Sequence, residues 1–165
     1  MNTPAAAVSL ILSQGEILIL KRSYHEKDPW SGHLSLPGGK IDPEDKSALH
    51  AAIRETREEC DIHLSARDAI ELDLLSAGGK VGRPMWVQAY FFELEKKPTI
   101  TLDLREHSEF YWVPLSYLRQ SQFHQKKKKS KLYPNFDFPC IDIEGTDLWG
   151  FTYHLVMSHF KIVIG

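Results

Sequence analysis

The sequence is short of sulfur, of long apolar runs and of net charge, and each shortage removes a class of protein. Two cysteines in 165 residues, Cys60 and Cys140, make neither a disulfide framework nor a zinc pattern. The eight histidines contain no pair at the spacing of a helical zinc site, so they read as structural or surface residues. The apolar run at residues 5–12 is too short to cross a bilayer and has no basic segment before it. No signal peptide or membrane association is therefore expected, and a cytoplasmic location is the default. A formal charge of -2 gives no general pull toward nucleic acid or an anionic surface. No repeat and no break in composition marks a second domain, so residues 1–165 are expected to form one.

What is present is an ordinary globular balance, 42% hydrophobic and 25% charged, organised around residues 36–62. There Leu36-Pro37-Gly38-Gly39-Lys40 runs into a helix that closes on Arg54-Glu55-Thr56-Arg57-Glu58-Glu59-Cys60. At ~100° per residue, Leu49, Ala52, Ile53, Thr56 and Cys60 share one side, and Glu55, Glu58 and Glu59 share another, so core face and acidic face are expected to be separate. Like charges three and four residues apart repel, and anions near a helix C-terminus oppose its dipole. A salt-bridged surface helix is the plain explanation, with Arg54 pairing Glu58 at i+4. The double glycine upstream favours another: glycines let the main chain approach closely, and hard divalent cations such as Mg2+ collect oxygen ligands.

Read from Gly39, the order is five residues, Asp45, eight residues, Arg54-Glu55, two residues, and Glu58-Glu59. This resembles the Nudix box, the signature of hydrolases that act on nucleoside diphosphates linked to another moiety. The usual box has glutamate at the first acid, a gap of seven and a glycine where Asp61 stands. Aspartate with the longer gap resembles the coenzyme A pyrophosphatase branch. Upstream, Arg22-Ser23 and Gly32 fit that branch, while Lys27 and Leu36 depart from it. Arg22 either binds a phosphate or merely caps a strand.

Along the rest of the chain, residues 5–12 and 16–21 read as a pair of strands about Ser13-Gln14-Gly15. The box helix is expected to start near Asp45 or Ser47 and end near Cys60. Residues 70–76 and 85–94 read as strands joined by a basic loop, whose Lys80 and Arg83 are candidates to touch a phosphate or else decorate a solvated tip. A polar loop over residues 104–109 precedes Phe110-Tyr111-Trp112-Val113-Pro114-Leu115, which again resembles the family. Glu106 matches a loop glutamate of some members, with Glu109 in reserve. The lysines at 126–129 and 131 read as a solvated loop, and no aromatic residues are interleaved with them as in single-strand binders, which argues against nucleic acid. Residues 133–139 are expected to form an irregular lid or core patch, and Asp147 to cap a C-terminal helix.

The alternation of strands and helices gives an α/β class, and the resemblance sharpens this to a Nudix α/β/α sandwich with a mixed sheet. It also implies Mg2+ or Mn2+ held by Glu55, Glu58, Glu59 and the Gly39 carbonyl. Arg54 would orient the glutamates with Asp45 behind it, and Glu55 or Glu106 would take a proton from water. Arg22, Lys40, Lys80 and Arg83 would meet a small nucleotide substrate. Coenzyme A or acyl-CoA is the branch expectation. Another substrate (ADP-ribose, a nucleotide sugar or a nucleoside triphosphate) and a non-catalytic nucleotide sensor are the alternatives. The oligomeric state, homodimer included, stays open.

Overall fold

The computed structural model describes residues 2–78, 84–131 and 133–165, with the backbone alone described over 126–130. Strands β1 (Ala6–Ser13) and β2 (Glu16–Arg22) form the expected hairpin. Gln14 and Gly15 both take positive φ, 53° and 76°, the two-residue turn whose twist matches that of the strands it joins. β3 (Leu34–Ser35) pairs with β2, and β4 (Gly38–Lys40) pairs with β1. Helix α1 (Ala48–Cys60) follows, then β5 (Ile70–Ala77), β6 (Met85–Leu94) and β7 (His107–Pro114). The strand order is β3-β2-β1-β6-β5, with β7 also paired to β2. β1 and β6 run parallel and the other pairs antiparallel, so the sheet is mixed as expected.

Period-two alternation divides β1 and β2 between two cores. Leu10, Ile17 and Ile19 face one apolar cluster; Ile11, Leu18 and Leu20 face the other, under Ala51, Ala52 and Cys60 of α1. The first cluster is closed by a four-residue helix α2 (Leu115–Leu118), a second sheet of β8 (His124–Ser130), β9 (Tyr133–Ile143) and β10 (Thr146–Trp149), and helix α3 (Gly150–His159). Helices thus lie over both faces of the larger sheet. No helix among the described residues is long and apolar enough to cross a membrane.

Three expectations fail in this second sheet. The lysine-rich stretch is a strand, not a loop, because β8 takes its conformation from pairing with β9, as at Gln125 with Cys140 and Lys128 with Phe138. The supposed lid at 133–139 is the first part of β9; register irregularities in β8–β9 accompany Pro134 and Pro139, which cannot donate to a ladder. Asp147 caps no helix, since it pairs with Asp142 in β10. α3 begins three residues later, at Gly150 with φ 67°, under Trp149, which makes no side-chain cap bond.

Candidate metal and catalytic site

Helix α1 starts where a local signal places it: the Ser47 side chain accepts a hydrogen bond from the His50 amide at 3.1 Å. At the other end Asp61 occupies the left-handed region, φ 56°, and its amide closes on the Arg57 carbonyl. That is the conformation glycine usually supplies at a helix end, and aspartate tolerates it. Thr56 fixes the helix to the sheet, donating to the Ala52 carbonyl or the Ser9 hydroxyl, at 2.7 and 2.9 Å.

The separation of acidic and apolar faces does not hold. Glu59 is 4% exposed, the Glu55 side chain 15% and the Glu58 side chain 57%, so the three carboxylates grade from core to solvent. Glu59 sits three residues beyond buried Thr56, on the edge of the buried stripe. The Gly38 amide donates to its Oε2 at 2.9 Å, which offsets part of the cost of burial. Burial still pushes the Glu59 pKa well up, and the charges of Glu55 and Glu106 add to the rise. Glu55 is also raised, chiefly by burial, against the opposing pull of Arg54.

Arg54 organises the outer part. Its Nη1 donates to Glu55 at 2.9 Å and to Glu58 at 3.2 Å, the i+4 pair expected. Its Nε and Nη2 grip both oxygens of Asp45, at 2.9 and 2.8 Å, and Nη2 also reaches the Lys40 carbonyl at 3.1 Å. This two-pronged contact, together with the Asp42 amide and His50, holds the Asp45 carboxyl far below the usual carboxylate range.

The glycines have distinct jobs. Gly38 has φ 149°, and a side chain there would run into the Ala7 carbonyl and Val8. At Gly39 the obstacle is Glu55: an added Cβ would lie 2.5 Å from its carboxyl carbon and 2.7 Å from both oxygens. Only glycine leaves the Glu55 carboxylate its position.

The remaining loop is delivered by the open end of α1. The last-turn carbonyls, which have no partner within a helix, accept from it: Glu59 from the Asp103 amide at 2.9 Å, Cys60 from Thr101 at 3.1 Å. The turn then continues through Glu106, whose carbonyl accepts from the Ser23 amide at 2.8 Å. Among the described residues, the side chains of Glu59, Glu106 and His107 bring one ligand atom each within 4.8 Å of one another. Glu106 is thus close to the box helix, as its assignment required. His107 was assigned no such place by the sequence. It is 1% exposed, opens β7 opposite Arg22, and has its pKa depressed to about 4, first by burial and then by the Arg22 charge. Its only signal was adjacency to Glu106 at the start of a strand.

Of the proposed phosphate contacts, Arg22 is tied to Asp28 at 2.6 Å, and Lys40 is exposed on β4 beside Gly39. Lys80 and Arg83 lie outside the described residues. Glu109 pairs with Lys21 at 3.2 Å and accepts from the Tyr111 hydroxyl, so it is engaged across the β2–β7 ladder. Cys60 is buried, as expected of a core residue. Crowded acids with raised pKa values fit a cation-binding role, because a bound cation relieves both burial and mutual repulsion.

Residues 1–136 match the family described as NUDIX domain. An uncharacterised protein of Schizosaccharomyces pombe is 32% identical over 139 residues, 76% of this chain and 42% of that protein. The mitochondrial coenzyme A diphosphatase of Mus musculus is 43% identical over 63 residues, 35% of this chain and 30% of its own. This chain therefore spans less than half the length of either curated relative. Among solved structures, an Ap4A hydrolase of C. elegans is similar at 27% identity and a TM-score of 0.55, covering 70% of this chain and 83% of that one.

Proposed function

Starting from a chain that belongs to the NUDIX domain family, we propose metal-dependent hydrolysis of a phosphoanhydride in a nucleoside diphosphate derivative. The proposed substrate is coenzyme A or acyl-CoA, cut to 3',5'-ADP and (acyl-)4'-phosphopantetheine. The observation that carries the hydrolase is the graded carboxylate set of α1, clamped by Arg54 against a glycine that leaves room for Glu55. The substrate rests on the aspartate and longer gap between Gly39 and Arg54, and on the similarity to the mouse coenzyme A diphosphatase over 63 residues.

Glu55, Glu58, Glu59 and the Gly39 carbonyl would hold Mg2+ or Mn2+. Such an ion, when bound, neutralises phosphate oxygens and makes water easier to deprotonate. The chain's own part is positioning and proton transfer. Arg54 fixes Glu55 and Glu58, and Asp45 fixes Arg54. Glu55 or Glu106 takes the proton from the attacking water; the raised pKa of Glu55 makes it a stronger base than an ordinary carboxylate. Arg22, Lys40, Lys80 and Arg83 bind the phosphates.

A second reading, hydrolysis of another nucleotide anhydride, is favoured by the similarity to the Ap4A hydrolase. The test is a panel of coenzyme A, ADP-ribose, nucleotide sugars, dinucleoside polyphosphates and nucleoside triphosphates, each with Mg2+ or Mn2+. Turnover of coenzyme A above the others supports the proposal. Turnover of the others without coenzyme A defeats the substrate assignment, and binding without any turnover makes the domain a sensor.

A further inference from the structure

We propose that Glu59, Glu106 and His107 form a mixed carboxylate–imidazole seat that takes a first-row transition-metal ion in preference to Mg2+. The inference rests on the metal-binding half of the functional reading and adds a nitrogen ligand to a set otherwise made of oxygen. Three observations carry it.

The first is convergence. One atom from each side chain lies within 4.8 Å of the other two, whereas two bonds of about 2.1 Å span at most about 4.2 Å across a metal. Glu106 is exposed, so its side chain has room to turn toward the other two.

The second is an orphan. His107 is 1% exposed, and its Nδ1 is buried without a hydrogen-bond partner. Leaving a buried polar atom unmatched is costly, so a ligand that satisfies this ring is favoured. The third is rigidity. The His107 amide donates to the Asp103 carbonyl at 2.9 Å, and the Asp103 amide donates to the Glu59 carbonyl at 2.9 Å. The main chains that carry the carboxylate and the imidazole are thus linked through a single residue.

The chemistry selects the ion. Imidazole suits zinc, cobalt, nickel and iron, while Mg2+ keeps to oxygen and water in strict octahedral geometry. Arg22 opposes any cation here, since its charge acts on both Glu59 and His107. Its guanidinium is already paired to Asp28 at 2.6 Å, and the Glu55 charge acts on Glu59 in the opposite sense.

The experiment titrates the metal-free full chain with Co2+ and, separately, Mg2+ by calorimetry, and records pulsed electron paramagnetic resonance of the Mn2+-loaded protein for coupling to a ligand nitrogen. In His107→Gln, Co2+ affinity is expected to fall about tenfold or more with Mg2+ affinity changed less than threefold, and the nitrogen coupling to vanish. Glu106→Gln, a change at an exposed position, should weaken Co2+ and keep the nitrogen coupling. Absence of nitrogen coupling in the unaltered protein overturns the proposal, as does an equal loss of Co2+ and Mg2+ in His107→Gln. Should His107→Gln fail to fold, the coupling in the unaltered protein decides alone. Nitrogen ligation with no turnover of any anhydride would sink the hydrolase and leave this seat standing; turnover without nitrogen ligation would do the reverse.

Discussion

Helix α1, over one face of the larger sheet, starts under the Ser47 side chain, buries small residues and carries three glutamates and two arginines along its last two turns. Helix α3, over the other face, starts at a glycine without a side-chain cap, contains no acid, and buries Tyr153, Leu155, Val156 and Met157. The first is held by named polar contacts and works against its own electrostatics; the second is held by apolar packing and works against nothing. Charge crowding that packing does not require marks the candidate site, and a quiet apolar helix marks where stability is placed.

Exchanging the two demands gives the sharpest tests. The largest effect is expected for Glu59→Gln, with kcat reduced by orders of magnitude through loss of a carboxylate proposed to hold the metal, while circular dichroism and melting show an intact fold. Near-normal turnover by folded variant would remove Glu59 from the site. Next comes Leu155→Ala, 3% exposed in α3, which should cost about 2–5 kcal/mol in urea unfolding and leave kcat per folded molecule nearly unchanged; a large drop in kcat would erase the division of labour.

Asp45→Asn removes one charge from the two-pronged Arg54 contact and should cost about 1–2 kcal/mol, since Arg54 is partly solvated. The pH profile separates the two acids. The Asp45 pKa is depressed on folding, so its contribution is present above the unfolded value of about 3.9 and is lost as pH falls through the folded one. The Glu59 pKa is raised, so its contribution is present below the unfolded value of about 4.3 and is lost as pH rises through the folded one. Metal-free protein should therefore lose stability as pH is raised from that value, and Glu59→Gln or saturating Mn2+ should flatten the loss. A profile unchanged by either would contradict the burial of an unpaired charge. The smallest effect is Ser47→Ala, about 1 kcal/mol, which has no counterpart at the uncapped start of α3.

The same contrast explains what could be read in advance. α1, the β1–β2 hairpin and β6 carry their own instructions: a capping serine, a Gln-Gly turn, a long β-prone run. Their limits agreed with expectation to within a residue or two. The second sheet does not. Nothing local tells Lys126 or Asp147 to be strand; both are recruited by β9, whose own prolines disguise it. At the site, Arg54 with Glu58 was legible because helical spacing dictates the i+4 pair, whereas Asp45 behind Arg54 was legible only through the resemblance. The burial of Glu59 depends on a Gly38 amide 21 residues away, and the nearness of His107 depends on strand pairing with Arg22. Distances of that kind are set by the fold and leave no periodic trace.

The two amides of Asp103 and Thr101 that close the end of α1 also set a condition on biosynthesis. A ribosome that has released only the first hundred residues has already made every glutamate of the box, yet the fragment holds neither Glu106 nor the segment that seats it. The signature is thus synthesised well before the centre it belongs to. A nascent chain must extend past Glu106 before these side chains can come together.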